Sequence, residues 1–313
     1  MTAIPAPHQI ALIGTGIMGG HMARRLAGAG FAVTVWNRDR GKADRLGVFG
    51  VGMTDSPSAA CAGADAVIVM LSDGPVVEQV MFRADATGRS PFDAIKAGAA
   101  LIVMSSIPVE ACQEQARRCI AQGLDYLDAP VSGGEPGARD GTLAIMAGGE
   151  HGVVERLASM FAAMGRVTHV GPAGTGQLTK LANQIIVGGT MVAVAEALDF
   201  AVRGGADAEA VRKALMGGFA DSRILDVHGA RMVKRDFVPG GPAEYQLKDL
   251  RTAQALAARS GLDFTLLDCV AGMFGEMIDR FGPGNDVSGI LMEVERRSSG
   301  GAAGKKSSPQ ERE

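Results

Sequence analysis

Ile10-Ala11-Leu12-Ile13-Gly14-Thr15-Gly16-Ile17-Met18-Gly19 opens the patterned part of the chain, and its reading decides the fold. The apolar run enters a glycine loop directly, as a buried parallel strand does. Met18, Met22, Leu26 and Ala29 then follow at helical spacing until Gly28 and Gly30 stop the pattern. GxGxxG is a weak signal in a chain with 44 glycines, but a strand before it and a helix after it give it meaning. The first glycine permits a tight turn, the second lets backbone approach a pyrophosphate, and the third lets helix pack on strand. The helix start adds free N–H groups and a positive dipole end for phosphates. Gly14, Thr15, Gly16, Ile17, Met18 and Gly19 are therefore candidate dinucleotide-binding residues.

Working outward, apolar runs at 31–36, 66–71, 99–104, 125–128, 142–146 and 167–170 read as further strands. Helical patterns lie between most of them, at 57–62, 75–83 and 109–122. Such alternation predicts right-handed crossovers and a mainly parallel sheet covered on both faces. Beyond 170 the strand signals stop and the patterns stay helical to 297. The expectation is an α/β Rossmann domain over 1–173 and an all-α domain over 174–297, with 298–313 aperiodic and disordered.

Composition narrows the function. At 313 residues the chain can hold two cores, and 47% hydrophobic with 21% charged residues is ordinary for a globular protein. A net charge of -3 leaves no basic stripe for nucleic acid. Cys61, Cys112, Cys119 and Cys269 are scattered without CxxC pairing, which fits reduced thiols in a cytoplasmic protein. His8, His21, His151, His169 and His228 lack ligand spacing, so no metal is expected. No signal peptide is expected at the N-terminus. No membrane span is expected either, because no uninterrupted apolar run reaches the ~18 residues needed.

The second strand ends in Trp36-Asn37-Arg38-Asp39. An acidic residue at that end would suit a free ribose 2′-hydroxyl. Arg38 instead suits a 2′-phosphate, with Asn37 adding a neutral hydrogen bond, so NADP is favoured over NAD. Asp39 either caps the next helix or holds a ribose hydroxyl.

Gly174-Thr175-Gly176-Gln177-Leu178-Thr179-Lys180-Leu181-Ala182-Asn183-Gln184 opens the longest helical pattern, which runs to Arg203. Leu178, Leu181, Ile185, Gly188, Val192 and Ala195 form one apolar face. Lys180, with Asn183 and Gln184 beside it, is out of place so early in an apolar helix. Either its stem packs on the core while its head reaches water, or it serves a site.

These blocks resemble the β-hydroxyacid dehydrogenase family, whose members include 3-hydroxyisobutyrate dehydrogenase, tartronate semialdehyde reductase and, more distantly, 6-phosphogluconate dehydrogenase. The resemblance spans 8–297 and rests on four blocks in order: 14–19; Asp128-Ala-Pro-Val-Ser-Gly-Gly134 with Gly141-Thr-Leu143; 174–184; and Leu247-Lys-Asp-Leu250. It implies a Rossmann domain, an all-helical second domain, and a homodimer or homotetramer whose helical domains pack together. It makes Lys180 the catalytic lysine, and Ser132, Gly133 and Gly134 the loop for a substrate carboxylate. Lys248 falls beside the nicotinamide end of the cofactor, and Leu71, Ser72 and Ser106 fall in its other loops. The Lys-x-x-Asn-Gln form and Glu135-Pro136 are similar to the tartronate semialdehyde reductases. Several positions depart from the usual pattern: Leu71-Ser72 for Leu-Pro, Val103 for the aspartate of Asp-Met-Ser-Ser, and Tyr245-Gln246 for a leucine-histidine pair.

The resemblance implies an NAD(P)-dependent oxidoreductase of small hydroxy acids that reduces tartronate semialdehyde to D-glycerate. The competing expectations are a 3-hydroxyisobutyrate, semialdehyde or threonate dehydrogenase and, outside enzymes, a catalytically silent NADP-binding scaffold. Lys180 would exchange the substrate proton as general acid and base, which requires its site to lower a reference pKa of about 10.4. An apolar helix surface and a second cation, Lys248, are the routes open to it. Asn183 or Gln184 would fix the substrate hydroxyl. The amides of Gly133 and Gly134 would hold the carboxylate, although a glycine pair is also an ordinary turn signal.

Overall fold

Strand β1 (Gln9–Ile13) lies inside the sheet because its alternate residues are wanted on both sides. In the computed structural model, which describes residues 8–85 and 88–300, Ile10 and Leu12 join one buried cluster and Ala11 and Ile13 the other. The first cluster takes Met22 and Leu26 from the helix Ile17–Gly28; the second takes Cys112, Ala116 and Cys119 from the helix Val109–Ala121. Burying each such Ile or Leu contributes about 1.5–3 kcal/mol, so the apolar runs become the core strands.

The other strands are β2 (Ala32–Trp36), β3 (Gly52–Met53), β4 (Ala66–Val69), β5 (Ala100–Val103), β6 (Asp125–Asp128), β7 (Val131–Ser132), β8 (Leu143–Gly149) and β9 (Gly165–Gly171). Their order is β3-β2-β1-β4-β5-β6-β8-β7, with β9 pairing β8. Pairing is parallel from β3 to β6 and between β8 and β9. β8 is antiparallel to both β6 and β7. The order reverses between β1 and β4, and it is outside the carboxyl ends of strands at such a point that α/β sheets bind ligands. The expected mainly parallel α/β domain is therefore present. β3 and β7 are too short to show any periodicity in the sequence.

By its contacts the chain divides at Lys180, inside the helix Thr175–Arg203. The second unit is helical, with Ala208–Leu215, Ala243–Arg259, Thr265–Phe281 and Ile290–Gly300 as its other main helices. The last of these enters the segment expected to be disordered; residues 301–313 of that segment lie outside the described residues.

The long helix differs from its expected face at one end. Leu181, Gly188, Val192 and Ala195 are buried, but Leu178 is half exposed, and Gln177 is wholly buried in its place. Gln177 turns inward because its amide bonds the loop after β5. This helix is also long and apolar enough to cross a membrane by composition, with a mean hydropathy of 1.8. Polar residues interrupt its apolar run without lowering the average far. One face packs closely within the helical unit, where a Cβ at Gly188 would lie 3.0 Å from both Gln246 and Val270, while Ile186 and Phe200 are exposed.

Candidate active site

The glycine loop leaves β1 and starts the helix Ile17–Gly28, and its glycines do three different jobs. Gly14 has φ +104°, and a Cβ there would lie 2.3 Å from the Met70 carbonyl oxygen. A Cβ at Gly19 would lie 2.0 Å from the Gly14 oxygen, so helix and strand touch there. A Cβ at Gly16 would meet nothing within 4 Å, leaving open space in front of the helix N-terminus. Gly16 is the helix N-cap without any side-chain cap, so the first N–H groups are offered outward. The Thr15 hydroxyl is buried with no hydrogen-bond partner among the described residues. Close packing at Gly14 and Gly19, an open cradle at Gly16 and an orphaned hydroxyl fit a dinucleotide pyrophosphate.

Asn37, at the end of β2, is used structurally. Its Oδ1 accepts the Thr15 N–H at 3.0 Å and its Nδ2 donates to the Asp39 carbonyl at 2.8 Å. It thus holds the glycine loop against the second strand. Arg38 is exposed beside it. Asp39 is the N-cap of the helix Arg40–Asp44, yet makes no side-chain cap bond; its carboxylate lies 4.0 Å from Lys42 Nζ.

Leu71 and Ser72 follow β4. The buried Ser105 hydroxyl accepts the Leu71 N–H at 2.7 Å, and Asp73 caps the next turn by accepting the Val76 N–H at 2.9 Å. Ser72 donates to Asp73 at 2.9 Å. The Leu71-Ser72 departure from Leu-Pro is thus absorbed by an aspartate cap. Ser106, after β5, is half-buried, whereas its neighbour Ser105 carries the structural bonds.

Gln177 reaches the same loop. Its Nε2 donates to the Ser105 carbonyl at 2.7 Å and its Oε1 accepts the Ile107 N–H at 3.1 Å. Asp128, the last residue of β6, is wholly buried. It accepts the N–H groups of Gly174 and Gln177, both at 2.7 Å. Gly148 and Gly176 make room for it, since a Cβ at either would lie within 2.8 Å of a carboxylate oxygen. Burial pushes its carboxyl up to about 6, against the pull of the Gly174, Gln177 and Gly176 N–H groups. Asp128 therefore fixes the start of the helix that carries Lys180, which is half-buried.

Beyond Asp128 the chain passes through Ala129 and Pro130 to β7, Ser132 and the glycine pair. Gly133 and Gly134 have φ +134° and +59°, conformations that favour glycine. They start the short helix Gly134–Asp140 rather than a hairpin. His21 Nε2 lies 3.3 Å from Glu135 Oε1, joining this turn to the helix after the glycine loop.

In the second unit Asn183, Gln184 and Lys248 belong to one polar network. Gln184 is buried, and its Nε2 donates to Gln246 Oε1 and to Asp249 Oδ2, both at 2.9 Å. Its Oε1 accepts from Asn183 at 2.9 Å, and Asp249 Oδ1 lies 3.2 Å from Lys248 Nζ. Tyr245-Gln246 thereby gains a reason, because Gln246 also donates to the Gln184 carbonyl at 2.9 Å. The turn before the helix of Lys248 is pinned by the wholly buried Asp286. That carboxylate accepts from Arg231 at 2.9 Å, Gly240 N–H at 3.0 Å, Gly241 N–H at 3.1 Å and the Ser288 hydroxyl at 2.7 Å.

Sequence reasoning missed Asp128, Gln177, Ser105 and Asp286 as individuals. One signal was available for Asp128: a carboxylate ending a strand after Tyr126 and Leu127, both buried. Asp286 sits in an irregular stretch and offered none.

The family model of the NAD binding domain of 6-phosphogluconate dehydrogenase matches residues 9–171. That of the NAD-binding domain of NADP-dependent 3-hydroxyisobutyrate dehydrogenase matches 174–294. The chain belongs to this β-hydroxyacid dehydrogenase family and is an NAD(P)-dependent oxidoreductase. It is 40% identical to 2-hydroxy-3-oxopropionate reductase of Escherichia coli over 92% of this chain and 97% of the other. Its structure is similar to 3-hydroxyisobutyrate dehydrogenase of Salmonella typhimurium, with a TM-score of 0.82 and 25% identity over 91% and 99% of the two chains. The Mycobacterium tuberculosis 3-hydroxyisobutyrate dehydrogenase, solved with L-serine, gives 0.81 and 27% over 93% and 99%.

Proposed function

We propose that the protein is a 2-hydroxy-3-oxopropionate (tartronate semialdehyde) reductase that forms D-glycerate. The observation that carries this reading is the 40% identity to the Escherichia coli reductase across nearly the whole of both chains. Lys180-Leu-Ala-Asn183-Gln184 and Glu135-Pro136 support it. When bound, the nicotinamide cofactor supplies the hydride that reaches the aldehyde carbon. Lys180 gives its proton to the aldehyde oxygen as the carbonyl π bond breaks, and regains one from water. Ser132 with the N–H groups of Gly133 and Gly134 holds the carboxylate, and Asn183 orients the hydroxyl. Lys248, Leu71, Ser72 and Ser106 line the cofactor, and Gln184 takes part through its hold on Asp249. NADP is the preferred cofactor, with Arg38 on the 2′-phosphate and Thr15 and Gly16 on the pyrophosphate. Exposed Ile186, Phe200 and Leu266 support a homo-oligomer built through the helical unit.

The test follows NADPH absorbance with a panel of three- and four-carbon semialdehydes, wild type beside Lys180→Ala. The reading expects tartronate semialdehyde to be the best substrate, with Lys180→Ala slowed about a hundred- to ten-thousand-fold. Full activity in that variant would remove Lys180 from the chemistry. Preference for the 3-hydroxyisobutyrate couple would favour the second reading, which rests on the two solved relatives above. Arg38→Ala should weaken NADP far more than NAD; equal effects would sink the 2′-phosphate assignment.

A further inference from the structure

We propose that Asp128 is a positioning residue for Lys180, and that protonation of its carboxylate switches the enzyme off on the acid side. The proposal deepens the reading of Lys180 as acid and base, and rests on it. Its geometry is that of a two-armed clamp. One carboxylate oxygen accepts Gly174 N–H and the other Gln177 N–H, each at 2.7 Å, so both oxygens are engaged by one helix start. Lys180 is one turn beyond Gln177. In the other direction Asp128 leads through Ala129 and Pro130 into Ser132 and the glycine pair. A single buried group therefore sets the helix start and anchors the strand from which the carboxylate loop departs.

The clamp is strongest as a carboxylate, whose charge shortens and strengthens both N–H bonds. Protonation removes that charge and turns one oxygen into a hydroxyl, a poorer acceptor, so one arm weakens. Among the described residues, the titratable groups that interact with Asp128 are Cys112 and Tyr126. Burial raises both above their ordinary ranges, so both stay neutral. Asp128 itself is pushed up to about 6 by burial.

The sign matters. A carboxyl raised on folding contributes stability in full below its unfolded value of about 4, and that contribution is gone above its folded value. Protonation therefore does not unfold the domain. It changes the alignment of the lysine helix, and misplacement of about 1 Å can cost a hundredfold in rate.

The experiment has two arms. In ¹⁵N-labelled wild type, the amide shifts of Gly174 and Gln177 are followed from pH 8 to pH 5 without substrate. They should titrate together, at the pH where kcat falls. Asp128→Asn presents a permanent donor to one arm, so it should mimic the protonated state. Its kcat at pH 8 should be about ten- to a hundredfold low. The acid fall should be absent, and the cofactor Kd should match wild type. A purely structural role would lower thermal stability and leave the acid fall in place. That outcome, or flat Gly174 and Gln177 amides across the range, overturns the proposal. Should Asp128→Asn fail to fold, the wild-type amide titration decides. Because it needs no substrate, its result is independent of whether tartronate semialdehyde is turned over.

Discussion

Asp128 and Gln177 meet at 2.7 Å between a buried carboxylate and a backbone N–H, and this contact joins the last core strand of the parallel run to the helix that carries Lys180. Gln177 then spends its own side chain on the Ser105 carbonyl and the Ile107 N–H. Ser105 in turn holds the Leu71 N–H. The loops after β4, β5 and β6 and the start of the long helix are thus linked by the side chains of Ser105, Gln177 and Asp128. Every partner in this chain is satisfied, which is the condition for a buried polar network to rigidify a site.

Gly176 makes the closeness of Asp128 to the helix possible. A Cβ there would lie 2.4 Å from the Asp128 carbonyl and 2.5 Å from the Met146 carbonyl, both backbone atoms that cannot rotate away. Gly176→Ala should therefore cost about 1–3 kcal/mol of stability in the first unit despite the better helix propensity of alanine. Chemical denaturation of the two proteins measures it. An unchanged midpoint would mean that the helix start shifts freely, and the clamp argument would lose its footing.

Two glycines of the loop separate fold from binding. Gly19→Ala forces a contact of 2.0 Å with the Gly14 oxygen and should destabilise the unit by about 1–3 kcal/mol. Gly16→Ala meets only open space, so without cofactor it should melt within about 0.5 kcal/mol of wild type. Its cofactor Kd, read by nicotinamide fluorescence, should nevertheless rise at least about tenfold, since the methyl occupies the pyrophosphate's approach. Equal Kd values would move the phosphates elsewhere.

Much of this was legible in the sequence, and the reasons are local. Strand β1, the glycine loop and the first helix follow from periodicity and from what glycine alone permits. The order of the site blocks followed from resemblance. What stayed hidden depends on contacts far apart in sequence. Gln177 looked like one more polar residue at a helix start, and only a fold that brings residues 105–107 to it shows why it is buried while Leu178 is not. Asn37 is a candidate cofactor contact from its place at the strand end, but its bonds to Thr15 and Asp39 are not legible in the sequence.

Asp286 should make the helical unit sensitive to acid. Burial acts to raise its carboxyl, but His228, Ser288 and Gly241 outweigh it and hold the group well below the usual carboxylate range. A carboxyl depressed on folding contributes stability above its unfolded value of about 4, and that contribution fades as pH falls below it. Asp286→Asn should cost about 3 kcal/mol at pH 7, because Arg231 and the loop N–H groups lose a charged acceptor. Hydrogen exchange of amides 243–259 reads the cost. The gap between variant and wild type should narrow from pH 5 to pH 3; a constant gap would mean that packing, not charge, holds the turn.

Gln184 poses a sharper question, because its position on the helix suggests a substrate contact while its side chain is spent inside the helical unit. Both Nε2 hydrogens are taken by Gln246 and Asp249, and Oε1 accepts from Asn183. Gln184→Glu removes both donors and sets a carboxylate against Asp249. A buried acceptor pair without a proton between them costs about 1–3 kcal/mol, with charge repulsion added. The variant should lose stability relative to wild type, as chemical denaturation measures. The repulsion falls on Asp249 and on Lys248, 3.2 Å from it, so cofactor KM should rise. The order of substrates in a semialdehyde panel should not change, since no group that reads the substrate has moved. The opposite pattern, unchanged stability with a reordered panel, would place the Gln184 amide on the substrate and make it the residue that selects among hydroxy acids.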